Sequence, residues 1–222
     1  RHPLFKMGIK VDYAWGMKKH ICVFCGSRDG DNLDTIAKAS DLGRDLANAG
    51  YDIVFGGGRL GLMGAVARSA IEVGGSVIGI IPTGLTAREP VQQELSELFV
   101  VDDIIERKRL MMEKSDAFVV LPGGFGTLDE LFEVWTGMQI GSHTKPIIIA
   151  NWGGYYDKLL EFLNDADQHG FLNGDHLKGA EIINDVNGIT ASLNTSLKGW
   201  SDSMHIKFFG AAGEVTGSRH YL

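Results

Sequence analysis

The chain has 222 residues, 44% of them hydrophobic, and a formal net charge of −7. That length supports one sizeable α/β core, and the acidic balance argues against nucleic-acid binding while leaving room for a small anionic ligand held by local arginines and helix ends. No apolar run approaches the ~20 residues of a membrane span and residues 1–16 lack the apolar core of a signal peptide, so a cytoplasmic protein without a membrane partner is expected.

Residues 1–16 show no periodicity and read as a leader or remnant, with Met17 as the expected start. A first strand runs over Ile21 to Cys25 and ends at Gly26-Ser27; a polar loop, Arg28 to Asn32, leads into a helix over Asp34 to Asn48, with Ile36, Ala39, Leu42 and Leu46 at helical spacing. Gly50 stops that helix. Strand two is Asp52 to Phe55, followed by Gly56-Gly57-Gly58, a helix over Gly61 to Val73, and strand three over Ser76 to Ile81. Thr83 to Leu98 reads as a longer connection with an acidic, partly helical tail. Strand four is Leu98 to Val101 and a charged helix spans Asp103 to Lys114. The stretch VVLPGGFGTLDELFE then reads as a buried strand (Ala117 to Leu121), a glycine turn (Pro122 to Gly126) and a helix starting at Thr127, with Glu130 on its first turn. Strand six is Ile147 to Ala150, a helix covers Tyr155 to Asp167, and a last strand (Glu181 to Asn184) and helix (Gly188 to Leu197) close the domain.

Continuously apolar strands alternating with helices indicate a parallel sheet covered on both faces, hence a Rossmann-like, doubly wound α/β domain. In such sheets ligands bind at the carboxyl ends of the strands. The glycine loops at Gly26, Gly56 to Gly58 and Gly123 to Gly126 all follow strands, so they share one edge and are treated as one site. The spacing in GGGRLGLMG is a weak dinucleotide match: strand three ends in Ile81-Pro82, without the acid that would hold a ribose hydroxyl. No G-x-x-x-x-G-K-[ST] is present either. Cys22 and Cys25 form a C-x-x-C inside an apolar strand, where alternation sends them to opposite faces or to the strand end; two reduced, buried thiols are expected. The seven histidines show no ligand spacing, so no metal is expected. No cofactor is expected either.

PGGFGTLDE (Pro122 to Glu130) resembles the PGGxGTxxE signature of the Lonely Guy family, phosphoribohydrolases that release the base from cytokinin riboside 5′-monophosphates and, in bacterial members, often from AMP. CGS at Cys25 to Ser27, GGGRLGLMG at Gly56 to Gly64, ERK at Glu106 to Lys108 and KPIIIANWGGYYDKLL at Lys145 to Leu160 resemble the family in the same order, over about Lys19 to Leu197. Many members carry the label "possible lysine decarboxylase", but no lysine here sits in an evident pyridoxal phosphate setting. Three positions depart from the pattern: Ile105 stands where many members have His, the loop after CGS reads RDG, and Asp129 precedes Glu130 in place of Glu. The first two bear on the choice of base more than on the reaction.

Hydrolysis of an N-glycosidic bond needs a carboxylate near an oxocarbenium-like carbon, a proton or hydrogen bonds for the departing base, and a positioned water. Gly123, Gly124, Gly126 and Thr127 are the phosphate candidates, through backbone N–H groups and the Thr hydroxyl. The resemblance makes Glu130 and Arg107 the catalytic pair. Spacing alone favours the plainer reading, in which Thr127-x-x-Glu130 is a capping box and Arg107 a solvated partner of Asp103. Ser27, Gly57, Gly58, Glu89 and Lys108 are further substrate-binding candidates. Met111 and Met112 could line a base pocket, although helical methionine more often fills a core.

Residues 204–222, MHIKFFGAAGEVTGSRHYL, resemble the opening strand of metallo-β-lactamase-fold RNA-processing nucleases, without the metal-binding motif such enzymes need. The expected organisation is therefore a leader (1–16), a phosphoribohydrolase-like domain (17–200) and a tail (201–222). The expected function is hydrolysis of a purine riboside 5′-monophosphate to free base and ribose 5-phosphate, by a homodimer or larger homo-oligomer as the resemblance implies. The competing readings are a carrier of a phosphorylated ligand, like the molybdenum cofactor carrier proteins of the same superfamily, and a structural domain regulating a fused nuclease.

Overall fold

The apolar runs of the sequence become the middle of a seven-stranded sheet. The computed structural model describes residues 18–86 and 90–202. Its strands are β1 (His20–Phe24), β2 (Asp52–Phe55), β3 (Val77–Pro82), β4 (Glu97–Val101), β5 (Ala117–Val120), β6 (Ile147–Ala150) and β7 (Ala180–Ile183), in the order β4-β3-β2-β1-β5-β6-β7. Every neighbouring pair is parallel. Strands β5 and β6 are buried at every position, as a sheet covered on both faces requires.

Helices α1 (Leu33–Asn48), α2 (Gly61–Glu72) and α8 (Val186–Asp202) accompany one face; α4 (Ile104–Glu113), α5 (Phe125–Gln139) and α6 (Asp157–Gln168) accompany the other. The core divides accordingly. Ile21, Val23 and Phe55 belong to the first cluster, whereas Cys22, Phe24 and Phe118 belong to the second, the alternation expected of strands. Cys22 and Cys25 fall in opposite clusters, both buried and free. Burial is the main reason both thiols titrate well above their usual range. Helices α1 and α2 approach closely at Gly43, where a β-carbon would come within 2.3 Å of the Ser69 hydroxyl and the Val66 carbonyl.

Three sequence expectations need correction. The connection after β3 is helical at its head, in α3 (Thr83–Thr86), and not in its acidic tail. A 3₁₀ turn (Trp152–Gly154) and a short helix α7 (Gly174–Leu177) also escaped the periodic pattern, being too brief to show one. Finally, α5 begins at Phe125, so the glycine turn is shorter than expected and Gly126 lies inside the helix. Residues 1–17, residues 87–89 with Glu89 among them, and the tail from residue 203 onward lie outside the described residues. Among the described residues, no helix is long and apolar enough to cross a membrane.

The chain order sets the site. From β1 the chain moves outward through β2 and β3 to β4, then returns by α4 to β5 on the other side of β1. The strand order therefore reverses between the parallel neighbours β1 and β5, and the loops leaving these two strands diverge at their carboxyl ends.

Candidate active site

A cleft of about 690 Å³ opens at that reversal, lined by the Cys25–Asn32 loop after β1, the Pro122–Thr127 segment after β5 and the turn after β6. The two main loops are tied to each other: Leu121 N–H donates to the Phe24 carbonyl at 2.8 Å and Gly26 N–H to the Pro122 carbonyl at 3.0 Å.

Helices α1, α2 and α5 begin beside this cleft, and their unpaired N–H groups separate them. In α1, the Asn32 side chain caps the Asp34 N–H at 2.9 Å. In α2, the Leu62 and Met63 N–H groups share the Gly26 carbonyl, at 3.1 and 3.4 Å. In α5, the N-cap is Gly124, which has no side chain to contribute. Around this turn every carbonyl is engaged: Leu121 by the Tyr156 hydroxyl (2.6 Å), Pro122 by Gly26, Gly123 by the Tyr155 hydroxyl (2.8 Å) and Gly124 by Leu128 N–H (3.0 Å). The N–H groups of Gly123, Gly124, Phe125, Gly126 and Thr127 find no acceptor among the described residues. A row of free donors at a helix N-terminus, beside satisfied carbonyls, is a cradle for an anion. Gly123 is required there. A β-carbon on it would lie 2.1 Å from the Thr127 hydroxyl and 2.9 Å from the Gly26 nitrogen.

Glu130 is not a capping residue. Helix α5 starts too early for Thr127 to be its N-cap, and no acid lies on its first turn. Glu130 sits in the second turn on the inward face, 9% exposed. Burial pushes its carboxyl up to about 7; Asp129 and Glu133 push the same way, while Arg107 and Lys108 oppose them. Arg107 reaches it from α4. Its Nη2 lies 3.8 Å from Glu130 Oε1 and 3.4 Å from the Gly56 carbonyl, and its buried Nε has no partner among the described residues. These are long contacts, so the guanidinium and carboxylate face each other without forming a tight pair, leaving donors for a third group. The plainer expectation, an Asp103–Arg107 pair on a solvated face, fails because Asp103 instead caps α4, accepting from Ile105 and Glu106 N–H at 2.8 Å each.

The structure brings Ser27, Gly123, Gly124, Gly126, Thr127, Arg107 and Glu130 to one cleft. It does not bring in Gly57 or Gly58. Gly57 packs under β3, against Gly79 and Ile81, and Gly58 bridges to Val91. Lys108 also lies outside the lining, bound to Asp129 (3.0 Å) and Glu133 on α5. Met111 is core, and Met112 packs against the same cluster. Sequence reasoning missed Tyr155 and Trp152, which line the cleft. Topology could have found them, because they follow β6 on the same edge. Among the described residues no group of three or more His, Cys, Asp or Glu is placed to hold a metal ion.

A family profile described as "Possible lysine decarboxylase" matches residues 63–193. A pyridoxal phosphate enzyme would need a lysine in its site, and none of the described residues lining the cleft is one. A protein of Oryza sativa subsp. japonica, named as a probable cytokinin riboside 5′-monophosphate phosphoribohydrolase, is 44% identical over 155 residues, covering 70% of this chain and 63% of its own length. An Arabidopsis thaliana cytokinin riboside 5′-monophosphate phosphoribohydrolase is 45% identical over 155 residues, covering 70% of this chain and 72% of its own. The molybdenum cofactor carrier protein of Chlamydomonas reinhardtii superposes with a TM-score of 0.63 at 21% identity, over 82% of this chain and 99% of the carrier. The molybdenum cofactor binding protein of Rippkaea orientalis gives 0.62 at 20% identity, over 82% and 99%. These two share the fold. On the family profile and the plant relatives, the chain belongs to the Lonely Guy family, whose profile carries the "Possible lysine decarboxylase" description.

Proposed function

We propose that the chain hydrolyses the N-glycosidic bond of a purine riboside 5′-monophosphate, a cytokinin riboside monophosphate or AMP, to free base and ribose 5-phosphate. The observation that carries this reading is the joining, on one helix, of a row of amide donors without protein acceptors and a buried carboxyl with a pKa of about 7. The names of the plant relatives point to the same chemistry.

Within this reading the 5′-phosphate rests on the N–H groups from Gly123 to Thr127, with Ser27 across the cleft. Binding energy from that remote group holds the ribose in register. As the bond between C1′ and the base lengthens, positive charge grows on the sugar. Ionised Glu130 stabilises it and takes a proton from the attacking water, while the departing base keeps the bonding electron pair and takes a proton from solvent. Arg107, with its unpartnered Nε, orients Glu130 and donates to the substrate. Glu89, Gly57, Gly58 and Lys108 remain part of the proposal only as contacts formed when substrate binds. The reading includes a cytoplasmic homodimer or larger assembly, which light scattering on the purified protein would test.

Incubation with AMP and with isopentenyladenosine monophosphate, scored for ribose 5-phosphate, tests the reaction. Release of base by the native chain, and its loss in folded Glu130→Gln and Arg107→Ala variants, is the expected result. Tight binding of a nucleotide with no product from any of them would favour the carrier reading instead.

A further inference from the structure

Tyr155 and Tyr156 are adjacent in sequence and hold adjacent parts of the same turn, yet their surroundings differ. Tyr156 is 3% exposed, and its hydroxyl donates to the Leu121 carbonyl at 2.6 Å. The next residue is Pro122, which has no N–H, so fixing the Leu121 carbonyl aims no donor anywhere. Tyr155 is 54% exposed at the edge of the cleft, and its hydroxyl donates to the Gly123 carbonyl at 2.8 Å. The next N–H belongs to Gly124. In a planar trans peptide the carbonyl and the following N–H point in opposite directions. Holding the Gly123 carbonyl toward Tyr155 therefore turns the Gly124 N–H away from the tyrosine.

On its Gly124 side this peptide is otherwise weakly constrained, whereas Gly123 packs against Thr127 and Gly26. The peptide lies between two glycines, and a β-carbon on Gly124 would meet nothing within 4 Å. Its neighbours are secured by backbone bonds, Pro122 through Gly26 and Gly124 through Leu128. The Gly123 carbonyl alone depends on a side chain at the cleft edge. The tyrosine is itself positioned for this. Gly153 (φ 63°) and Gly154 (φ 73°) turn the chain after β6, and the Tyr155 ring then packs edge-on against Tyr156, centroids 4.9 Å apart at 89°.

We propose that Tyr155 is a positioning residue for the phosphate cradle: its hydroxyl, by holding the Gly123 carbonyl, aims the Gly124 N–H into the cleft toward the ligand's phosphate. This rests on the reading of the α5 N-terminus as a phosphate site and adds the residue that shapes it. The Gly124 donor is aimed before the ligand arrives, so binding does not bear the cost of orienting it.

The test compares Tyr155→Phe with Tyr156→Phe, which removes a hydroxyl from the same turn without touching a donor. Binding of ribose 5-phosphate and of inorganic phosphate is measured by calorimetry, and the Gly124 amide is followed by ¹H–¹⁵N NMR. Tyr155→Phe should bind both ligands about ten- to thirtyfold more weakly, the scale of one hydrogen bond to a charged group. Its KM for the nucleotide should rise by a similar factor, with kcat little changed and the pH profile unmoved. The downfield shift of the Gly124 amide on phosphate addition should disappear. Tyr156→Phe should melt at lower temperature and bind as the native chain does. Binding by Tyr155→Phe within twofold of native would overturn the proposal, as would equal weakening by both variants. So would weakened binding with the Gly124 shift intact, which would mean that the hydroxyl touches the phosphate itself. If the native chain binds phosphate but turns over no nucleotide, the hydrolase reading falls and the Tyr155 role is still decided by the binding of the two variants. If the native chain binds neither ligand, both fall.

Discussion

Gly56 carries no substrate contact in the geometry above, yet its substitution by alanine should nearly abolish activity. A β-carbon at this position would lie 1.9 Å from Arg107 Nη2 and 3.1 Å from Arg107 Cζ. Restoring an ordinary contact of 3.4 Å displaces the guanidinium by roughly 1.5 Å from the position in which it meets the Gly56 carbonyl and faces Glu130. A misplacement of about 1 Å in a reacting constellation costs on the order of a hundredfold, or about 2.7 kcal/mol of barrier. Gly56 does not occupy the left-handed region, so alanine meets no backbone strain there, and the third neighbour, Met63 Sδ at 3.2 Å, is flexible. The loss should therefore appear in kcat/KM for base release at a melting temperature close to native. A double-mutant cycle sharpens the test: if Gly56→Ala acts only by displacing Arg107, adding it to Arg107→Ala should cost nothing further. Near-native turnover by Gly56→Ala would refute the placement of Arg107, and full additivity in the cycle would show that Gly56 matters for some other reason.

Glu130 should weaken the fold at neutral pH. Its folded pKa of about 7 exceeds the ordinary carboxyl value of 4.5, so the folded state holds the proton more tightly and stability falls as pH rises between those values; Glu130→Gln should gain on the order of 3 kcal/mol at pH 8 by urea denaturation, and nothing below pH 4.5. Lys108 opposes the rise in the Glu130 pKa and pairs with Asp129 and Glu133, so Lys108→Met should move the acidic limb of the kcat/KM profile to higher pH, whereas a Lys108 that only binds substrate would change KM and leave the limb in place. Gly123→Ala should destroy phosphate binding through its clash with Thr127, while Gly124→Ala, with open space around it, should bind within a fewfold of native by calorimetry.

The strands were legible almost to the residue. Runs such as Ile147 to Ala150 are apolar at every position and bounded by polar or conformationally special residues, so burial on both faces leaves few alternatives. The start of α5 was not legible, and the reason is general. Thr127 and Glu130 stand three apart, a spacing that both a capping box and two successive turns of one helix face provide. Composition favoured a loop through Gly126, but a first-turn glycine has no intrahelical N–H bond to lose, so it sits in α5 without the usual interior cost. What decides between the readings is whether Gly124 can be the N-cap, and that depends on carbonyl partners from the loop after β1 and from the turn after β6, distant in sequence. The partners of Lys108 were not legible for a similar reason. Its neighbours on α4 say nothing about the two acids that α5 presents to it.

The cradle and the acid are on the same helix, and this couples them. Glu130 is six residues beyond the N-cap Gly124, a rise of about 9 Å. A phosphate dianion at that distance, at an effective dielectric constant between the ~20 of a protein surface and the ~80 of water, should raise the Glu130 pKa by roughly one to three pH units. Arg107 and Lys108 face the carboxyl from α4, Asp129 and Glu133 from α5, and Cys25 at the end of β1 stays protonated, so ligand binding adds a negative charge to a site already balanced near neutrality. Proton uptake should therefore accompany ribose 5-phosphate binding at pH 7.5 to 8, where the phosphate is already almost fully ionised and cannot itself account for it. Calorimetry in two buffers of different ionisation enthalpy reads this directly, as a fraction of a proton taken up in the native chain and none in Glu130→Gln. Equal apparent enthalpies in both buffers for the native chain would mean that the phosphate does not sit on α5 or that Glu130 is already ionised beyond its reach. The same coupling predicts that product inhibition by ribose 5-phosphate weakens as pH rises above 7, because the bound product then faces a carboxylate where it faced an acid.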